Sequence, residues 1–205
     1  MANAEHEDAV EEAEEKETLQ PRIEVGGEIK TFEEVTPKKA LKVLRETIAD
    51  YEDYQSVPSR RKTDEAFRKY VKETLTQAND HIKEIHAALI EAQQMSTWAI
   101  ADQVINELGA FIKDVNKSDY GFTTFFENPR LLEMDISQLY IIDYDFIKSI
   151  RVLNERISAF MEIVQQHYFE DTDLWFETLN RILGRLISLN DDRVKLIGSY
   201  ERISY

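Results

Sequence analysis

The chain has 205 residues, 42% of them hydrophobic and 21 aromatic, which suffices for one domain with a substantial core. Its formal net charge of −15 argues against unaided binding to nucleic acid, where affinity comes from Lys and Arg replacing counterions, and against an anionic membrane surface. With no cysteine, disulfide frameworks and thiolate metal sites are excluded; with no long apolar run and no apolar leader, neither a membrane span nor a signal peptide is read and the expected location is cytoplasmic.

Residues 1–20 hold eight acids and one lysine, too much charge and too little apolar surface to offset the entropy of ordering. They read as a disordered acidic tail, either solubilising or able to dock on a basic surface. In residues 21–35, alternation around Gly26-Gly27 allows a short hairpin, with an extended linker as the other reading. Residues 36–205 read as a single helical-bundle domain.

Thr36-Pro37 opens a helix over 36–56 in the preferred way, a capping hydroxyl followed by proline. Pro58 should end it, because the residue before proline is pushed out of helical geometry. Ser59-Arg60-Arg61-Lys62 is then a basic loop, solvated or a landing site for the acidic tail, and Thr63 caps the next helix.

Residues 63–116 contain no proline and only Gly109. Leu75, Ala78, Ile82, Ile85, Leu89, Ala92, Ser96 and Ala99 recur at steps of three and four, a heptad seam of the coiled-coil kind. Its small residues favour packing inside a bundle over a free-standing two-stranded coil. After Ala99 the stripe slips to Ile100, Val104, Leu108, Ile112 and Val115, so one long helix is expected, bent near Met95–Thr97.

From 117 to 145 the helical period lapses and turn residues appear among dense aromatics. Two short helices, Thr123–Glu127 and Pro129–Met134, are expected over the bundle. Phe122, Phe125, Phe126, Tyr140, Ile141 and Ile142 either cap the core or form an exposed patch for a partner. Asp143 or Asp145 should cap a helix running to 168, followed by helices over 172–189 and 193–205 with Asn190-Asp191 between them. The fold class is all-α: an antiparallel helical bundle of about four main helices, one unusually long, with short accessory helices.

No phosphate loop, GxSxG or HExxH occurs, and no catalytic, cofactor-binding or metal residues are assigned. The Glu-x-x-His pattern of di-iron bundles is also missing; the reversed order occurs twice, as His81-x-x-Glu84 and His167-x-x-Glu170. Spacing of three puts imidazole and carboxylate on one helix face, compatible with two ligands from each of two helices. The main expectation is a non-enzymatic interaction, scaffold or regulatory bundle whose partner is another protein, a second copy included. The alternatives are a metal-dependent helical-bundle enzyme using His81, Glu84, His167 and Glu170, and an acidic mimic of nucleic acid that occupies a basic protein.

Overall fold

The structure, a computed structural model, describes residues 35–117 and 119–200. The expected acidic tail (1–20), all but the last residue of the expected linker or hairpin (21–35), and the last five residues lie outside them. The described residues form five α-helices, one 3-10 turn (Met95–Thr97) and no sheet: α1 (Pro37–Thr47), α2 (Val57–Glu91), α3 (Trp98–Lys117), α4 (Glu133–Gln165) and α5 (Thr172–Gly198).

Helix α2 packs against α3 and α4, and α5 closes the ring by packing against the same two helices; α1 lies on α4. His86 faces Asp102 and Asn79 faces Gly109, so α2 and α3 run in opposite directions; Phe160 stacks on Trp175 and Asp143 pairs with Arg193, and α4 and α5 do likewise. The core between them is aliphatic with an aromatic spine. Phe67 meets Phe146 edge-on at 5.5 Å between ring centres, and Phe160 stacks on Trp175 at 5.3 Å and meets Phe176 at 5.1 Å. Such pairs add about 0.5–1.5 kcal/mol each beyond the area they bury.

Thr36 caps α1 as its sequence suggests, accepting from the Lys39 amide. The helix then stops at Thr47, nine residues short of the expected end. Pro58 does not end a helix but sits in the first turn of α2, where its missing N–H costs nothing. The intervening loop turns on Asp50, at φ 63°, and on Asp53, whose Oδ1 accepts from the Gln55 and Ser56 amides. Thr63 is therefore not a cap. It is buried inside α2, and its hydroxyl donates to the Asp53 carbonyl at 3.0 Å.

The expected long helix is two helices. Helix α2 ends with Gln93 in the left-handed region, φ 59°, while the Gln93 amide donates to Ile90 O and the Gln94 amide to Leu89 O. That is a Schellman closure, and the slip of the apolar stripe marks a reversal of the chain instead of a bend. The break escapes sequence reading because glutamine fills the position that glycine usually takes. Gln93→Gly should therefore raise stability by about 1 kcal/mol in urea titration, by removing the side chain's steric cost in this conformation. In an unbroken helix the same change would lower stability by about 0.5–1 kcal/mol.

Two further boundaries differ. Residues 123–127 form a single turn and not a helix, and α4 begins at Glu133, ten residues before Asp143, which is a buried interior residue. Helix α5 runs unbroken through Asn190-Asp191 to Gly198. Neither residue costs more than about 0.7 kcal/mol within a helix, which the buried contacts of Arg193 and Ile197 outweigh.

Candidate functional site

The segment from 119 to 132 leaves the end of α3 and crosses to the start of α4, and a buried polar cluster sits beneath it. Three helices each place a charged residue on their own apolar stripe. Asp64 falls three residues before Phe67 and four after the buried Arg60; Asp143 lies between Leu139 and Phe146; Arg193 lies between Leu186 and Ile197. Helical spacing turns all three inward.

Arg193 is 1% exposed and its guanidinium joins the set. Nε donates to Asp143 at 2.8 Å and Nη2 to Asp64 at 2.7 Å, with further bonds to the hydroxyls of Tyr54 and Tyr120. Asp143 also accepts from the hydroxyls of Tyr51 and Tyr54, both at 2.8 Å, and Asp64 from Tyr120 and from Arg68 at the surface. The Arg193 guanidinium carbon lies over the Phe67 ring, 4.5 Å from its centre. Two carboxylates and two guanidiniums balance, so the cluster carries no net charge when all four are ionised.

The electrostatics follow from this placement. Burial pushes the Asp64 carboxyl up, but Arg193 and Arg68 outweigh it and hold the group below the usual carboxylate range. For Asp143, burial dominates over Arg193 and the two tyrosines and pushes the carboxyl up. Burial, reinforced by the Asp143 charge, raises the Tyr51 and Tyr54 hydroxyls well above 10. The adjoining cavity, lined by Asp64, Arg68 and Tyr120, holds about 110 Å³. That is room for a few waters and well below a metabolite pocket. With its guanidinium engaged by four groups, Arg193 fastens α5 to α2, to α4 and to the loop residues Tyr54 and Tyr120.

A second arginine fastens the crossing segment. Arg60, also 1% exposed, donates to the carbonyls of Tyr54, Gln55, Phe125 and Asn128. The Ser59–Lys62 stretch is thus not a solvated basic loop: Ser59 and Arg60 are buried in the first turns of α2, and Arg61 pairs with Glu127 over the Phe126 ring. From the far side, the Thr123 hydroxyl donates to Ile197 O, and the Thr124 amide and hydroxyl both donate to Tyr200 O. Tyr200 in turn bonds Asp135 through its hydroxyl and meets Phe125 edge-on at 5.6 Å.

The aromatics of this region divide between the two expected roles. Phe125, Phe126, Tyr140 and Ile142 are buried and cap the core, whereas Phe122 is 95% exposed. Leu132, at 61%, and Met134, at 72%, are exposed where the segment enters α4. A pinned backbone therefore holds three apolar side chains in water.

The two His/Glu pairs do not converge. His81 and Glu84 are exposed on α2, while His167 lies beyond α4, at φ 59° in a second Schellman closure, with its Nδ1 3.1 Å from Gln165 O. Glu170 accepts from the Tyr168 hydroxyl. Among the described residues no group of three or more His, Asp or Glu is placed to hold a metal ion. No described helix is long and apolar enough to cross a membrane. No protein-family model, no curated protein and no solved structure matches the chain.

Proposed function

We propose that the protein is a non-enzymatic interaction module that docks another protein, a second copy included, through Phe122, Leu132 and Met134, with the cytoplasm as its setting. The observation that carries this is Phe122, a large apolar side chain 95% exposed on a segment whose backbone is tied to Arg60 through Phe125 O and to Tyr200 O through the Thr124 amide. Aromatic anchors dominate interface energetics, and fixing them before binding avoids the entropy of ordering them afterwards. Less supports an acidic mimic of nucleic acid: nine of the fifteen net negative charges lie in residues 1–34, leaving a net −6 over residues 35–205.

The triple change Phe122→Ala, Leu132→Ser and Met134→Ser tests the proposal. The side chains are exposed, so each substitution should move stability by less than about 0.5 kcal/mol. A protein partner recovered with the unaltered chain from its native host should bind the variant at least about tenfold more weakly, as losing a central anchor costs about 2 kcal/mol or more. Unchanged affinity would assign the interaction to another surface.

A further inference from the structure

We propose that the groove between α1, the crossing segment and the start of α4 is covered by residues 21–34 of the same chain. The groove encloses about 570 Å³ and has an apolar floor of Leu41, Leu131, Ile136 and Tyr140. Its rim carries Lys38 on the α1 side and Glu133 on the α4 side, and Thr36 and Pro37 line it directly. The described chain thus begins at the groove, with Val35 already packed against the core.

The preceding residues suit such a site in three respects. First, their sequence, PRIEVGGEIKTFEE, brings four apolar side chains, Ile23, Val25, Ile29 and Phe32, into a stretch otherwise dominated by charge and glycine. Buried against the groove floor, Phe32 alone would remove about 150–250 Å² from water. Second, reach is not limiting. Phe32 is four residues from Thr36, so at about 3.3–3.6 Å per residue it lies within about 14 Å of the rim. A tether this short presents the side chain at an effective concentration in the millimolar range, which a free partner would have to exceed. Third, the charges are complementary. Residues 1–34 carry a net −9, whereas α1 carries Lys38, Lys39, Lys42 and Arg45 against a single acid, Glu46. Lys42 pairs with Glu46 and Arg45 with Asp53, but Lys38 and Lys39 have no ion-pair partner among the described residues. Glu33 and Glu34 stand four to six residues before them in sequence.

Together these features make residues 21–34 a strap whose apolar side chains fill the groove and whose acids meet the base of α1. None of Phe122, Leu132 and Met134 lines the groove, and its occupation by the strap does not depend on their role.

Because the chain has no cysteine, a single introduced thiol reports on the groove. Ser137→Cys places one on the lining, and Ser96→Cys places a control at the α2–α3 reversal. Each is made in the full-length chain, with and without the pair Ile29→Ser and Phe32→Ser, and its rate of maleimide labelling is measured. The strap should slow labelling at 137 by about tenfold relative to the double-serine chain, the ratio that about 1.4 kcal/mol of docking maintains. Rates at 96 should match in the two backgrounds, and protection at 137 should persist unchanged on dilution. Equal rates at 137 would overturn the proposal. So would an equal change at 96, which would mean the segment acts on the whole fold, or protection lost on dilution, which would place a second copy in the groove.

Discussion

Arg193→Ala should cost about 3–5 kcal/mol of folding stability, the penalty for removing one partner of a buried ion pair. The cost arises less from the lost bonds than from what stays behind. Asp64 and Asp143 would be buried without their shared cation, and the hydroxyls of Tyr54 and Tyr120 would lose a donor. A domain has about 5–15 kcal/mol in all, so the loss should lower the melting temperature by about 10 °C. Arg193→Met separates charge from volume. It fills much of the same space, yet it should be nearly as damaging, because the stranded carboxylates are unchanged. In both variants the deficit should narrow as pH falls through the carboxylate range, since protonation relieves the uncompensated charge. Urea titrations monitored by circular dichroism at neutral and acid pH measure this directly. A methionine variant as stable as the parent would show that Arg193 acts only by packing.

Steep alkaline unfolding is the second large effect. Burial, followed by the Asp143 charge, holds the Tyr51 and Tyr54 hydroxyls well above 10, and burial pushes Tyr140 up to about 12. In the unfolded chain all three titrate near 10. Above that pH the folded state keeps protons that the unfolded state has released, so stability is fully present below about pH 10 and falls as pH rises beyond it. Each group contributes a loss of about 1.4 kcal/mol per pH unit, so the three together remove about 4 kcal/mol by about pH 11. Of the nine tyrosines, Tyr51, Tyr54 and Tyr140 should therefore release their protons only as helicity is lost, in one cooperative step. Complete tyrosinate absorbance, all nine groups ionised, with helicity intact would contradict the buried network.

How much of this was legible in the sequence depended on which signals were periodic. Leu75 through Leu89 follow a regular three-and-four rhythm, and α2 lies where that rhythm places it. The Thr36-Pro37 start is legible for the same local reason, a capping side chain and a preset φ. Failures cluster where tertiary contacts override local preference. Gln93 and His167 end their helices in conformations that sequence reading reserves for glycine. Asp143 and Asn190-Asp191 look like turn or cap residues, but inward contacts keep them helical. The buried cluster did leave a trace: Asp64, Asp143 and Arg193 each occupy a position on an apolar stripe that a hydrophobic residue would ordinarily fill. One such residue is ambiguous, but an acid, an acid and an arginine on three stripes suggest a shared buried pairing. Phe122 left none, since nothing local distinguishes it from the buried Phe125 and Phe126.

Amide hydrogen exchange on the full-length chain shows whether the crossing segment is a fixed platform for Phe122. The Thr124 amide donates to Tyr200 O, and the Glu127 and Asn128 amides both donate to Thr124 O. If the segment is held as described, these amides exchange only when the bundle opens, at rates within about tenfold of core amides such as Val71 and Leu75. Exchange at the rate of an unstructured peptide, with the helices still protected, would mean that Phe122 sits on a mobile loop and would contradict the account.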